Sequence, residues 1–149
     1  MDTKKPTADA MPLSDLRILI IDDDCVINKL AKGIFERLGA TVQTASDPVK
    51  ALAVYAQERA TIDLVIVDYF MPLLNGGETI QHLRELNPDV KILLFSGAEE
   101  LRLRQIGQQY SIKGFLHKPL RADEALWVIR QIIPARSEQV AEDPPMPVR

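Results

Sequence analysis

Acidic side chains follow two short apolar segments of this 149-residue sequence. The run Asp22-Asp23-Asp24 comes directly after residues 18–21, and Asp68 comes directly after residues 64–67. Carboxylates that lie close together repel each other, so either their pKa values rise or a cation neutralises them. Clustered carboxylate oxygens suit magnesium, which binds one or two carboxylates and keeps several waters. These residues are therefore candidate magnesium ligands.

A hydroxyl group and an ammonium group follow two further apolar segments. Ser96 precedes Gly97, and Lys118 precedes Pro119. A carboxylate beside magnesium and a lysine is suited to attack phosphorus and form an aspartyl phosphate. The metal and the lysine would neutralise the transferring group, and a serine could donate to one of its oxygens. The sequence therefore predicts phosphoryl chemistry at these four segment ends.

Short runs of Ile, Val and Leu alternate with segments of helical spacing, as in parallel sheets buried on both faces. Consecutive βα units with right-handed crossovers predict an α/β fold, a doubly wound five-stranded parallel sheet with five helices. Ligands of such sheets bind at the carboxyl ends of the strands, where the candidate residues lie. The predicted strands are Arg17–Asp22, Thr41–Ala45, Leu64–Asp68, Lys91–Phe95 and Gly114–His117.

Start and stop signals locate the helices. The first ends at Gly39, a typical C-cap residue, and the second begins at Ser46-Asp47-Pro48. The third runs from about Gly77 to Leu86 and the fifth from about Ala122 to Ile133, while Gly107 weakens the fourth by about 1 kcal/mol. The residues predicted to face the core are Val26, Ile27, Leu30, Ile34, Phe35 and Leu38, then Val49, Leu52, Ala53 and Ala56, then Ile80 and Leu83, then Leu103, Ile106 and Tyr110, and finally Leu126, Ile129 and Ile133.

Composition indicates one globular domain with polar ends. The chain is 46% hydrophobic and 26% charged, which is ordinary for a soluble domain. We expect a flexible N-terminal lead over residues 1–15 and a folded domain over residues 16–133. Residues 134–149 are rich in proline and charge, and we expect them to be a disordered tail or a linker stub.

Charge and hydropathy exclude several classes of function. A net charge of −3 lacks the positive field that drives binding to phosphate backbones, so we expect no direct nucleic-acid partner. A single cysteine forms no intramolecular disulfide. No apolar run approaches the roughly 20 residues that span a bilayer, and the N-terminus has no secretory signal. We therefore expect a cytoplasmic protein with no membrane contact.

With these motifs in this order, the sequence resembles the CheY-like receiver domain of two-component response regulators. The resemblance covers essentially all of residues 16–133 and implies a flavodoxin-like fold. Each motif is weak alone, but their joint occurrence at four strand ends is specific. The matching motifs are Asp22-Asp23, Asp68-Tyr69-Phe70-Met71-Pro72 followed by Asn75-Gly76, Ser96-Gly97, and Phe115-Leu116-His117-Lys118-Pro119.

The resemblance implies a phosphorylation-controlled signalling switch rather than an enzyme. Asp68 would accept a phosphoryl group from a histidine kinase or a histidine phosphotransfer protein. Asp23, Asp68 and the backbone carbonyl of Phe70 would bind Mg²⁺ directly, and Asp22 would bind it through a water. Lys118 would contact the phosphoryl group, after a Lys–Pro bond that is often cis in relatives.

The resemblance also implies how the switch would work. Ser96 would bind a phosphoryl oxygen and shift on phosphorylation, and Phe115 would turn inward as the aromatic switch residue. The face built from the fourth helix, fifth strand and fifth helix would then change for an unknown output protein. Phe70 and Ala98 flank the path of the hydrolytic water in this family, and neither orients a water. We therefore expect slow self-dephosphorylation.

Other interpretations of the same residues stay open at this point. The acidic run could cap the first helix, Asp68 or Ser96 could be a turn residue, and Lys118 could be an ordinary surface lysine. Asp22 and Asp24 also fit the nucleophile and general acid of a haloacid-dehalogenase-like phosphatase, although that interpretation leaves Asp68 unexplained. An unphosphorylated receiver-like adaptor is a third possibility.

Overall fold

The computed structural model describes residues 11–71, 75–97 and 99–135, and strands alternate with helices along them. The strands are β1 (Arg17–Ile21), β2 (Thr41–Ala45), β3 (Leu64–Asp68), β4 (Ile92–Ser96) and β5 (Phe115–His117). The helices are α1 (Cys25–Arg37), α2 (Pro48–Glu58), α3 (Gly76–Leu86), α4 (Glu100–Tyr110) and α5 (Ala122–Ile132). The predicted bounds of the strands are right to within one residue.

All strand pairs of the sheet are parallel, and the order is β2-β1-β3-β4-β5. The predicted doubly wound α/β fold is confirmed. The order reverses between β1 and β3, and a doubly wound sheet opens a crevice at the carboxyl ends of such strands. Asp22 and Asp68 lie at this reversal, Asp22 just after β1 and Asp68 as the last residue of β3.

Alternate side chains of the central strands enter two separate core layers. Ile18 and Ile20 of β1 pack with α1 and α5, whereas Leu19 and Ile21 pack with α2, α3 and α4. β3 and β4 divide their side chains in the same way. Burial on both faces explains why these strands are continuous apolar runs without polar alternation.

The helix ends follow the predicted signals. The Asp47 carboxylate accepts the Val49 amide at 2.8 Å, with Pro48 at the first position of α2. Gly39 follows α1 with a φ of +99°, a conformation that favours glycine at this position. A Cβ atom there would also lie 2.9 Å from the Cβ atom of Met11.

The predicted core faces of α1 and α2 need correction. Val26, Leu30 and Val49 are exposed, and so are Ala53 and Ala56 of α2. A helix contacts a sheet along one stripe of its surface. In α1 this stripe lies to one side of Val26 and Leu30, which therefore face away from the sheet. Phe35 of α1 is buried as predicted, together with Asn28 and Ala31, and the buried residues of α2 are Pro48, Ala51 and Tyr55.

The predicted core faces of the other helices agree with the structure. Ile80 and Leu83 of α3 are fully buried, as is Leu103 of α4. Ile106 and Ile129 are buried as well. The remaining residues predicted for α4 and α5 are partly buried against the two core layers: Tyr110, Leu126 and Ile133.

The packed chain begins before residue 16, which corrects the predicted flexible lead over residues 11–15. Leu13 is 0% exposed and lies in the core layer of α1 and α5. Its amide donates to the Leu38 carbonyl at 2.8 Å. The Arg130 guanidinium of α5 donates to the Pro12 carbonyl and, at 2.9 Å, to the Asp15 carboxylate. The rest of the lead and residues 136–149 of the predicted tail lie outside the described residues.

Replacing Leu13 by alanine tests this packing. A fully buried leucine leaves a cavity when it is truncated, so we expect Leu13→Ala to lower the free energy of unfolding by about 2–5 kcal/mol. Met11→Ala is the matched control, because Met11 is exposed, and we expect it to lose less than about 1 kcal/mol. Urea unfolding followed by circular dichroism measures both. Equal stabilities of the two variants would show that residues 11–15 do not pack on the domain.

Candidate functional site

Two neighbouring strands bring the acidic residues together. The register pairs Ile21 of β1 with Val67 of β3, so the next residues, Asp22 and Asp68, lie side by side at the carboxyl edge of the sheet. One carboxylate oxygen from each of Asp22, Asp23 and Asp68 lies within 4.8 Å of the others. Asp22 and Asp68 are buried, and Asp23 is exposed.

Lys118 lies between the two buried carboxylates. Its Nζ atom is 2.7 Å from Oδ2 of Asp22 and 3.3 Å from Oδ2 of Asp68. The lysine side chain is 21% exposed, so it is not the ordinary surface lysine of the alternative interpretation. The Lys118–Pro119 bond is cis, and the Lys118 amide donates to the Ser96 carbonyl at 3.0 Å. β4 therefore fixes the backbone that carries this lysine.

The electrostatics of the cluster reflect its crowding. Burial raises the pKa of Asp68, and the Asp22 charge raises it further, while the Phe70 amide and the Lys118 ammonium act in the opposite direction. Burial by itself disfavours the charged form of Lys118, but the Asp22 and Asp68 carboxylates outweigh it and raise the pKa of the lysine. The lysine therefore stays charged, and Asp68 is held less favourably as an anion.

The acidic run divides its roles between the site and the helix. The Asp24 carboxylate accepts the Val26 amide at 2.9 Å and the Ile27 amide at 3.3 Å, so Asp24 is the N-cap of α1. The capping interpretation is right for this residue. The phosphatase interpretation uses Asp24 as a general acid, whereas its carboxylate is an acceptor for the helix. Asp22 and Asp23 remain for the site.

The structure places the two predicted switch residues on neighbouring strands. Ser96 ends β4 and is buried, and its backbone partner in the register is His117 of β5. Phe115 of β5 is partly buried against α4. A Cβ atom at Gly107 would lie 2.5 Å from the Phe115 ring. This glycine, which weakens α4, is therefore the residue that allows the ring to approach the helix.

Phe70 is tied to the acceptor loop through its backbone and to α4 through its ring. Its amide donates to Oδ1 of Asp68 at 3.0 Å. Phe70 is 43% exposed. Its ring meets the Tyr69 ring edge-on, with the ring centroids 5.1 Å apart, and the Arg102 guanidinium carbon lies 5.3 Å from its centroid. Ala98, the second residue predicted to flank the water path, lies outside the described residues.

Two residues near the site were not recognised in the sequence. Arg102 of α4 stacks on Phe70, and an exposed arginine on a helix gives no signal of such a contact. Asn28 is buried in α1, and its amide donates to the Asp22 carbonyl at 2.8 Å. A signal existed for Asn28, because it is a polar residue within the apolar stripe of a helix.

The donor set fits a magnesium ion. Three carboxylates face one ammonium group in this cluster, which leaves an excess of negative charge. The Asp22 side chain is fully buried, and the Lys118 ammonium, 2.7 Å from its Oδ2, is shared with the buried Asp68 carboxylate. Buried oxygens with excess negative charge are the ligands that hard divalent cations prefer. The residues present are therefore compatible with the metal that the sequence predicts.

Comparisons with known proteins identify the family of the chain. Residues 18–130 match the family described as the response regulator receiver domain. The chain is 30% identical over 130 residues to the response regulator MprA of Mycobacterium sp. (strain KMS), a match that covers 87% of this chain and 56% of that protein. The chain thus spans about half the length of the curated relatives it matches.

Solved structures show the same fold. The chemotaxis protein CheY4 of Vibrio cholerae superposes with a TM-score of 0.71 at 25% identity, covering 79% of this chain and 98% of that one. A response regulator receiver domain protein of Clostridium thermocellum superposes with a TM-score of 0.73 at 25% identity, covering 85% and 98%. The chain belongs to the response regulator receiver domain family, whose members are phosphoacceptor switches. No helix within the described ranges is long and apolar enough to span a membrane.

Replacing Asp68 by asparagine removes a charge that folding disfavours. A carboxyl group whose pKa is raised by folding supports the folded state below its unfolded pKa, near 3.8, and loses that support as the pH rises through its folded pKa. In the presence of a metal chelator, we expect Asp68→Asn to be more stable than the unaltered protein at pH 7. The difference should vanish near pH 3. Urea unfolding at both pH values measures it.

The control for this experiment is Asp89→Asn, which changes the same atoms at an exposed position before β4. We expect its stability to match that of the unaltered protein at pH 7. A loss of stability in Asp68→Asn at neutral pH would contradict the crowded, buried cluster described here.

Proposed function

We propose that Asp68 accepts a phosphoryl group from a phosphohistidine of a histidine kinase or a histidine phosphotransfer protein, with Mg²⁺ bound in the acidic cluster. One observation carries this proposal: the Asp68 carboxylate lies beside both another acidic pair and the Lys118 ammonium, 3.3 Å away. A nucleophile, a place for a cation and a charged ammonium group thus share one site.

Asp23, Asp68 and the backbone carbonyl of Phe70 would hold the metal directly, and Asp22 would act through a water. Bound there, Mg²⁺ would supply positive charge against the oxygens of the transferring phosphoryl group. Asp22 also keeps Lys118 charged and in place, because the two are in contact at 2.7 Å. The lysine can then move from the carboxylates to a phosphoryl oxygen without leaving the site.

The transfer step forms one bond and breaks one bond. An oxygen of Asp68 attacks the phosphorus atom, the phosphorus–nitrogen bond to the donor imidazole breaks, and the imidazole leaves with the electron pair. The amide of Phe70 already donates to Oδ1 of Asp68, so that oxygen is fixed and Oδ2 is the more available nucleophile. Ser96 would donate its hydroxyl to an oxygen of the transferred group.

The phosphorylated state would then be transmitted through β5 and its neighbours. When Ser96 shifts toward the phosphoryl group, Phe115 on the neighbouring strand would turn inward. This would change the face formed by α4, β5 and α5 and bias the chain between two conformations. An output protein or an output domain would bind this face in one of them.

The wider context of the domain also remains a proposal. We propose that it acts in the cytoplasm, with no direct contact to nucleic acid or membrane. Residues 134–149 would then be either the tail of a stand-alone regulator or a linker to a further domain.

A phosphoryl adduct measured by intact mass tests the proposed function. We expect acetyl phosphate with Mg²⁺ to give a single adduct, and Asp68→Asn to abolish it, because the nucleophile is lost. Asp89→Asn, an equal change at an exposed position, should form the adduct normally. If the protein instead hydrolyses acetyl phosphate steadily, and Asp22→Asn abolishes this hydrolysis, the phosphatase interpretation would be favoured. An unaltered protein that forms no adduct would be an adaptor.

The lifetime of the adduct tests the prediction for Phe70. A phenyl ring beside the acceptor does not hydrogen-bond a water, so we expect slow self-dephosphorylation. A glutamine at this position can orient a water, and we expect Phe70→Gln to shorten the half-life on the order of tenfold. Intact mass after removal of acetyl phosphate measures the decay. Leu101→Gln on α4, where Leu101 is exposed, is the control, and equal half-lives would refute the prediction.

A further inference from the structure

Asn28 is a buried polar residue in the first turns of α1. It is 4% exposed, and it lies on the same face of the helix as Ala31 and Phe35, which pack on the sheet. A buried amide is unfavourable unless its donors and acceptors find partners. The partners of this amide therefore indicate what it does.

The amide nitrogen of Asn28 bridges the ends of two strands. It donates to the Asp22 carbonyl at 2.8 Å and to the Ala45 carbonyl at 3.4 Å. Asp22 follows β1 and Ala45 ends β2, and the Asp22 amide also donates to the Ala45 carbonyl at 3.1 Å. Asn28 thus ties the start of the acidic run to both the edge strand and the first helix.

Packing by itself does not account for this residue. Oδ1 of Asn28 is buried, and none of the residues that the structure describes hydrogen-bonds to it. Leucine has the same branched arrangement of four heavy atoms and would occupy the same place without burying that oxygen. The contribution that a leucine could not make is the donation to the two carbonyl groups.

The peptide group that Asn28 holds is the one that carries Asp23. The Asp22 carbonyl belongs to the peptide bond between Asp22 and Asp23, so the hydrogen bond fixes the plane of that peptide. The Asp23 side chain is exposed, and within the described part of the chain no hydrogen bond or ion pair holds its carboxylate. The direction of this carboxylate therefore depends on its backbone.

We propose that Asn28 is a positioning residue for the cation site: it orients the Asp22–Asp23 peptide so that the Asp23 carboxylate points at the same ion as Asp68. This inference rests on the proposed function, since it concerns the magnesium site of that function. Residues that orient metal ligands from outside the coordination sphere typically contribute 10- to 100-fold to metal affinity. Asn28 has this position relative to Asp23.

Calorimetric titration of the full chain with Mg²⁺ tests the proposal without any phosphoryl donor. We expect Asn28→Leu to raise the dissociation constant for Mg²⁺ by about 10- to 100-fold. The matched control is Asn87→Leu. The Asn87 amide donates to the Tyr55 hydroxyl at 3.0 Å, and Asn87 follows α3 at the opposite end of the sheet. We expect this control to bind Mg²⁺ like the unaltered protein, even where its melting temperature falls.

A second readout separates positioning from general damage. With acetyl phosphate, Asn28→Leu should form the adduct slowly at low Mg²⁺ and recover at saturating Mg²⁺, because the acceptor and Lys118 are intact. If Asn28→Leu does not fold, Asn28→Ser carries the same test, since its shorter side chain does not reach both carbonyls.

The outcomes of these two measurements distinguish the proposed role of Asn28 from its alternatives. Unchanged Mg²⁺ affinity in a folded Asn28 variant would overturn the proposal, and so would an equal loss of affinity in Asn87→Leu. An unaltered protein that neither binds Mg²⁺ nor forms an adduct would instead overturn the proposed function itself. The two failures are therefore distinguishable.

Discussion

The site depends on the repulsion between two buried carboxylates that share one ammonium group. Asp22 and Asp68 lie side by side because their strands are neighbours in a parallel sheet, and Lys118 contacts both. One positive charge does not neutralise the three acids of this cluster. Buried like charges are tolerated in proteins where a function requires them. The same excess of charge that makes the domain less stable makes the site a receptor for a cation.

Backbone amides limit the free-energy cost of burying Asp22 and Asp68 in the same way at both strand ends. Oδ1 of Asp22 accepts the amide of Asp24 at 2.9 Å, and Oδ1 of Asp68 accepts the amide of Phe70 at 3.0 Å. Each carboxylate thus forms a turn with the residue two positions later. In each case Oδ2 is left to face Lys118. In each acid, a backbone amide therefore fixes one carboxylate oxygen, while the other oxygen faces the cluster. Such fixed charges are the preorganisation that electrostatic catalysis requires.

The sequence predicted the fold well where burial produces an unambiguous pattern. Strands buried on both faces are continuous apolar runs, and Asp47-Pro48 and Gly39 mark helix ends by local chemistry alone. Prediction was wrong where apolar residues occupy two neighbouring stripes of one helix. In α1, Val26 and Leu30 are exposed while Ala31 and Phe35 are buried, and only the contact with the sheet decides between the stripes. The packing of Leu13 and the role of Asn28 depend on partners far away in the sequence, the carbonyl groups of Leu38 and Ala45 respectively, and no local pattern reveals these partners.

The weakness of α4 is a consequence of what packs against it. Gly107 lowers its helix propensity, yet the glycine is required because the Phe115 ring occupies the space of a side chain there. Both residues that follow Asp68 also contact this helix: the Tyr69 ring lies 6.0 Å from the Tyr110 ring, and the Phe70 ring lies against Arg102. A movement of the loop after Asp68 must therefore change contacts at both ends of α4. Elements of low local stability respond most to such changes. Helix α4 both contacts the loop after Asp68 and is weakened by Gly107, so we expect it to respond readily to a change at the site.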